Sequence, residues 1–408
     1  MVVQMCLQLL LTGLLAGLVA ADPSWIHRKS GRASWEPTVR GWGTQTERAA
    51  GSNPNRHFDT VVSFGDSFSD THNMFAMYGT PTPPYLDGRF SNGPLWTEHL
   101  ATLIGAHTLV NLAFSGSTAN STDSVEELLK LTGLKPVFNF HTPDLPEQLS
   151  LLRVSPSASL LHSNKTLVTL FAGANDFAFT LLELQTPDAP RVAGYVVSMV
   201  RNLVEAGARN VAVLNMPPLQ FTPVGRLFSV AQDFVEALVE SYNKVLGDGL
   251  DAIKAANSNA TITTVDLNKL LTYTLTPEGM QYFNLTDVSN MCFNQLTVCS
   301  SPDTYMFWDY LHPTTRGHEV VAQTAYNAIN GNSGFGPSSP VDGLGGTPGG
   351  NSTFTTVSIH PASKDESMGV GTVATATVPS VGPSKTSGSA DNHFHCQAVF
   401  IFAAFFLA

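Results

Sequence analysis

The chain has 408 residues, with 21 lysines and arginines against 32 aspartates and glutamates, 13% charged residues, 43% hydrophobic residues and four cysteines. This length makes one large or two ordinary domains and excludes a small disulfide scaffold. A formal net charge of −11, with no run of Lys and Arg, offers no positive surface to phosphate backbones and argues against a nucleic-acid partner.

Residues 1–21 form an uncharged, mainly apolar run that ends in Val19, Ala20 and Ala21 before the polar Asp22, Pro23 and Ser24. The pattern predicts a secretory signal peptide cleaved before Asp22, although no Lys or Arg precedes the run. A membrane anchor is the competing reading, and the run is near the short limit for a span. Residues 22–55 hold Pro, Gly, Ser, three Trp and several Arg without a sustained period, and are read as an N-terminal extension.

From 56 to 330, apolar β-rich runs alternate with helical periodicity. Strands buried on both faces are predicted at 60–64, 108–114, 166–171, 210–214 and 261–267. Helical spacing appears in Val192, Val196, Met199, Val200, Leu203 and Val204, and again in Phe234, Leu238, Tyr242, Val245 and Leu246. Asp123, three residues before Glu126, is the expected cap of a further helix carrying Leu128, Leu129 and Leu131. Such alternation implies an α/β domain built on a parallel sheet with helices on both faces, and ligands in that architecture collect at the carboxyl ends of the strands.

Residues 331–390 turn rich in Gly, Pro, Ser and Thr, a composition that cannot bury a core and predicts a disordered stalk. Residues 369–374 match a dinucleotide fingerprint in letters only, because no strand and helix frame them. Residues 391–408 complete the chain. The small residues Ser387, Gly388 and Ser389, a polar spacer through Gln397 and the apolar tail 398–408 have the order of a signal exchanged for a glycosylphosphatidylinositol (GPI) lipid. With Cys6 in the predicted signal peptide and Cys396 in the predicted tail, Cys292 and Cys299 remain as a pair, expected as a disulfide in an oxidising compartment. Closing so short a loop contributes about 2.5 kcal/mol in the chain-entropy picture, so it fixes a loop rather than the fold. Asn120, Asn164, Asn259, Asn284 and Asn351 begin N-x-S/T sequons, glycan acceptors if the chain is exported.

Four of the predicted strand or loop ends carry chemistry. The first strand runs straight into Gly65-Asp66-Ser67, placing a serine hydroxyl at its carboxyl end. A second strand ends at Ser115-Gly116, where glycine lets a backbone N–H approach a ligand. A third ends at Gly173-Ala174-Asn175-Asp176, which offers an amide side chain at the same edge. Asp309 and His312, in a D-x-x-H-P step, give a carboxylate that can orient one ring nitrogen while the other faces the serine. No G-x-S-x-G elbow occurs. His318 and Glu319 lack the second histidine of a zinc-protease motif, so His318 is read as a surface or packing residue. The cluster His393, His395 and Cys396 lies in the predicted spacer and carries no metal reading.

These blocks, in this order over about 270 residues, resemble the GDSL esterases and lipases of the SGNH hydrolase superfamily, with Phe68 standing where a small or aliphatic residue is usual. The resemblance implies a three-layer α/β/α flavodoxin-like sandwich of about five mostly parallel strands over 56–330. It also implies a serine ester hydrolase that needs no cofactor or metal. Ser67 is then the nucleophile, His312 the base and Asp309 its partner, with the Ser67 and Gly116 N–H groups and the Asn175 amide as the oxyanion hole. The segments FSDTHNMF, RFSNGPLW and FWDYLHPT are similar to fungal carbohydrate esterases of family 16, which implies an acetylesterase acting on hemicellulose-derived oligosaccharides. Hydrolysis of lipid or short-chain acyl esters, and a non-catalytic glycan-binding or cell-wall module, are the alternatives. Tyr85, Trp96 and Phe177 flank the blocks as candidates to stack on a sugar, or as packing. The expected location is extracellular, with possible attachment to the cell surface through the lipid.

Overall fold

The structure, a computed structural model, describes residues 57–120, 141–182, 185–227, 231–332 and 355–358. The predicted signal peptide, the extension 22–55, the helix after Asp123, most of the stalk, the tail, Cys6, Cys396 and Asn351 lie outside the described residues.

Six parallel strands form the central sheet: β1 (Thr60–Gly65), β2 (Thr108–Asn111), β3 (Thr166–Phe171), β4 (Asn210–Leu214), β5 (Thr261–Val265) and β8 (Thr355–Ser358), in the order β5-β4-β3-β1-β2-β8. The runs TVVSFG and TLVTLF are buried at every position, as β-branched and apolar residues covered on both faces should be. Thr60 stands level with Thr108 on one side and Thr166 on the other, so β1 and β3 end together.

The helices are α1 (Asn73–Tyr78), α2 (Trp96–Leu103), α3 (Leu145–Val154), α4 (Ala174–Leu182), α5 (Ala189–Glu205), α6 (Pro223–Leu227), α7 (Gln232–Ala256), α8 (Leu267–Thr274), α9 (Pro277–Tyr282) and α10 (Thr315–Ile329). Helix α2 packs on α10, while α5 packs on α7 and α3. The right-handed rule for crossovers between parallel strands puts these two groups on opposite faces of the sheet, because the order 2-1-3-4-5 reverses direction after β2. The inner strand order 2-1-3-4-5 is the flavodoxin-like one, which reverses direction between β1 and β3 and opens a crevice there.

The five predicted strands all form, with two ends shortened. Beyond Asn111, Leu112 and Phe114 still donate to the carbonyls of Ser63 and Gly65, so the chain stays extended past β2 before turning. After Val265, Asp266 leaves the strand because its side chain accepts from the Lys269 N–H and caps α8. Within the predicted stalk, Thr355–Ser358 departs from the disordered reading: it is β8, paired with Thr108–Asn111, and Val357 packs against the core. A second, two-stranded parallel ribbon joins β6 (Asp287–Met291) to β7 (Tyr305–Phe307), and the Cys292–Cys299 disulfide closes the loop between them. No helix of the described residues is long and apolar enough to cross a membrane.

Candidate active site

Ser67 follows β1 at the β1/β3 crevice. Its approach depends on Gly65: with φ at +143°, a Cβ here would stand 2.3 Å from the Phe171 carbonyl oxygen, so only glycine lets the two strand ends lie this close. Gly173, at the end of β3, has φ +110° and would push a Cβ to 2.9 Å from the Tyr242 ring, whose hydroxyl donates to the Ala172 carbonyl at 2.8 Å. Both glycines serve close backbone approach at the carboxyl edge.

The loop from β7 to α10 delivers the other two groups. His312 Nε2 lies 2.8 Å from Ser67 Oγ, and His312 Nδ1 lies 2.9 Å from Asp309 Oδ2 and 3.1 Å from Oδ1. Asp309 Oδ1 also accepts the N–H groups of Leu311 at 2.9 Å and His312 at 2.7 Å. The D-x-x-H spacing is therefore a turn closed by the aspartate on its own backbone. A carboxylate at Nδ1 fixes the N–H there and leaves Nε2 to accept from the serine hydroxyl. Asp309 and His312 are buried and Ser67 is partly exposed, so the row runs from the interior to the mouth of the crevice. Burial pushes the Asp66 carboxyl beside Ser67 up to about 7, against the pull of the Phe68 N–H and of His312.

On the other side of Ser67, Asn175 sits in the first turn of α4, and its Nδ2 donates to the Ser117 carbonyl at 2.8 Å. Ser67, His312 and Asn175 line one pocket. Gly116 lies in the adjoining turn with φ +81°, in the left-handed region that favours glycine, and does not itself line that pocket.

Residues outside the four blocks hold these loops together. Asp70 accepts N–H bonds from His72, Asn73, Met74 and Ser115 and the Ser115 hydroxyl, fastening the serine loop to the loop bearing Gly116. Gln148 of α3 exchanges hydrogen bonds with both backbone groups of Gly65 and reaches the Ser117 hydroxyl at 2.9 Å. Asn73 donates to the carbonyls of Asn111 and Ala113. Asp70 and Asn73 lie within the quoted FSDTHNMF segment, whereas Gln148 carries no local signal at all.

The pocket wall is apolar, with Phe68, Phe171, Leu267, Leu271, Phe307 and Val321 among its residues. The three aromatic candidates for a sugar platform are placed elsewhere: Trp96 is buried and donates to Ser69 Oγ, Phe177 packs edge-on against Tyr242, and Tyr85 is bonded to Asp309. None of them lines the pocket. His318 is packing rather than surface: it is wholly buried, its ring lies 5.1 Å from that of Phe68, and burial pushes it well below the usual imidazole range. Far from the site, at the amino end of β1 and β2, His57, Asp59 and His107 bring three donor atoms within 4.8 Å, with Asp59 also paired to Lys165.

The model of the GDSL-like lipase/acylhydrolase family matches residues 61–325, which span every element of the site. The chain belongs to this family. Among curated relatives, the GDSL hydrolase is 26% identical over 346 residues to a phosphatidylcholine-sterol acyltransferase of Aeromonas hydrophila, covering 72% of this chain and 96% of the relative. It is 24% identical over 326 residues to the GDSL esterase/lipase EXL5 of Arabidopsis thaliana, covering 66% of this chain and 90% of the relative. Among solved structures it is similar to the acetylxylan esterase Axe2 of Geobacillus stearothermophilus, at 15% identity and a TM-score of 0.35, covering 69% of this chain and 96% of that one. The GDSL hydrolase is thus an enzyme acting on ester bonds.

Proposed function

We propose that the GDSL hydrolase cleaves carboxylic esters through an acyl-enzyme on Ser67. The observation that carries the proposal is the unbroken row from Ser67 Oγ through the His312 ring to the Asp309 carboxylate. His312 takes the hydroxyl proton as the oxygen attacks the ester carbonyl, and Asp309 stabilises the resulting imidazolium. The proton then passes to the leaving alkoxide, and a water activated by His312 releases the acid. The N–H groups of Ser67 and Gly116 and the Asn175 amide are assigned to the developing oxyanion, each donor worth roughly 100- to 1,000-fold in turnover.

For the substrate, the apolar pocket beside Ser67 favours an acyl chain longer than acetyl. The Aeromonas relative, named for acyl transfer between phosphatidylcholine and sterol, agrees with that choice. Deacetylation of hemicellulose-derived oligosaccharides remains the second reading, carried by the RFSNGPLW and FWDYLHPT segments. Those residues have structural work here that is independent of any sugar: Arg89 pairs with Glu98, and Ser91 and Asn92 hold Pro313 and Thr315. Burying each added CH2 stabilises by about 0.8 kcal/mol, roughly fourfold in kcat/KM. Across nitrophenyl esters from acetate to hexanoate, kcat/KM is therefore expected to rise at least tenfold. Acetylated xylo-oligosaccharides turned over faster than every longer acyl ester would overturn the acyl-chain reading in favour of the acetylesterase.

We also propose export, with the tail exchanged for a GPI lipid. The disulfide and the exposed sequons at Asn164, Asn259 and Asn284 support this reading. A mature chain that retained residues 1–21 and carried no N-glycan would contradict it.

A further inference from the structure

Tyr85 lies in the loop before α2, 224 positions from Asp309 in sequence, yet its hydroxyl donates to Asp309 Oδ2 at 3.0 Å. The carboxylate is thereby held on every side: Oδ1 by the backbone of residues 311 and 312, both oxygens by His312 Nδ1, and Oδ2 by the phenol. The phenol is itself fixed. Tyr85 is buried with Phe90, Cys292, Phe293 and Trp308, with the Phe293 ring stacked on Trp308 at 5.6 Å and edge-on to Tyr85 at 5.8 Å. Phe90 covers the His312 ring at 4.9 Å. The disulfide-closed loop is tied to the same segment through Cys292 N–H to the Phe307 carbonyl and Phe293 N–H to that of Trp308.

We infer that Tyr85 is a positioning residue for ester hydrolysis, holding the Asp309 carboxylate in the plane that His312 Nδ1 needs. The inference rests on Ser67, His312 and Asp309 acting as proposed above. The phenol touches neither Ser67 nor the pocket, so it acts through Asp309 alone: as His312 takes the serine proton, the carboxylate must already face Nδ1, and a donor at Oδ2 removes its freedom to rotate. Burial and the neighbouring carboxylate push the phenol far above its usual range, so it remains a donor at every pH of interest.

The test is Tyr85→Phe, which keeps the ring packing and deletes the hydroxyl. Hydrogen bonds to a charged group correspond to about tenfold or more, so kcat is expected to fall about tenfold with KM changed less than about twofold. Active-site titration with a phosphonate counts competent molecules. A folding defect lowers the titre, whereas lost positioning lowers turnover per titrated site. Turnover per titrated site within twofold of the wild type overturns the inference. Ser67→Ala is assayed in parallel: wild-type turnover in that variant refutes the underlying serine mechanism, an outcome distinct from failure of the Tyr85 role.

Discussion

His312→Ala is expected to lower kcat for ester hydrolysis by about 10⁴- to 10⁶-fold, with the protein still folded. The size follows from the geometry around the ring. Among the described residues Nε2 is the base that reaches Ser67 Oγ, at 2.8 Å, and without it the hydroxyl must lose its proton to water. Asp66 does not replace it, because burial keeps that carboxyl protonated up to about pH 7 and its Oδ1 is already taken by the Phe68 N–H. Ser67→Ala should fall to a similar floor. The double variant should be no slower than either single one, because the two groups act as a unit. The residual rate over water reports the oxyanion donors. A drop of less than about 100-fold in His312→Ala, measured as initial velocity on a nitrophenyl ester, contradicts the general-base role.

The second large effect concerns stability. Arg89 and Glu98 form a doubly bonded ion pair, with both N···O distances 2.8 Å, and the two residues are 6% and 1% exposed. Glu98 Oε2 also accepts the Leu95 N–H, closing the first turn of α2. Glu98→Ala therefore strands a buried guanidinium and frees a buried backbone donor. Breaking such a pair costs about 3–5 kcal/mol, and for a domain of this size Tm should fall by on the order of 10 °C. Arg89→Met added to Glu98→Ala should recover part of the loss, because the unpaired charge is then gone. Equilibrium denaturation showing less than about 1 kcal/mol lost in Glu98→Ala would contradict a truly desolvated pair. Activity should suffer as well, since the segment between these residues carries Ser91, whose hydroxyl holds the Pro313 carbonyl next to His312 at 2.9 Å.

What was legible in the sequence, and what was not, follows from the range of the interactions. The strands ending at Gly65, Phe171 and Leu214 announce themselves through continuous apolar β-branched runs, and Ser67, Asn175, Asp309 and His312 fall at chain positions where those runs or the D-x-x-H-P step stop. Strand β8 did not announce itself. The four residues TTVS sit in a Gly- and Pro-rich stretch, and what makes them a strand is the unpaired edge of β2, a partner nearly 250 residues away. In sequence Tyr85 is a candidate sugar platform, because an aromatic near a motif carries no mark of where its hydroxyl points. Its bond to Asp309 spans 224 positions. Gln148 is hidden for the same reason: it lies among the polar residues of an amphipathic helix, yet it is fully buried against Gly65. His318 shows the converse, a polar residue buried by the packing of α10 on α2 with no ring-nitrogen partner among the described residues.

Reaction with a fluorophosphonate ester, followed by digestion and mass spectrometry, asks whether Ser67 is the nucleophile. One stoichiometric adduct is expected, on the peptide containing Ser67, lost in Ser67→Ala and slowed by orders of magnitude in His312→Ala. A folded protein that hydrolyses esters while Ser67 stays unmodified, or that carries the adduct on another residue, would contradict it. A folded protein with neither turnover nor adduct would point instead to a binding module on the same scaffold.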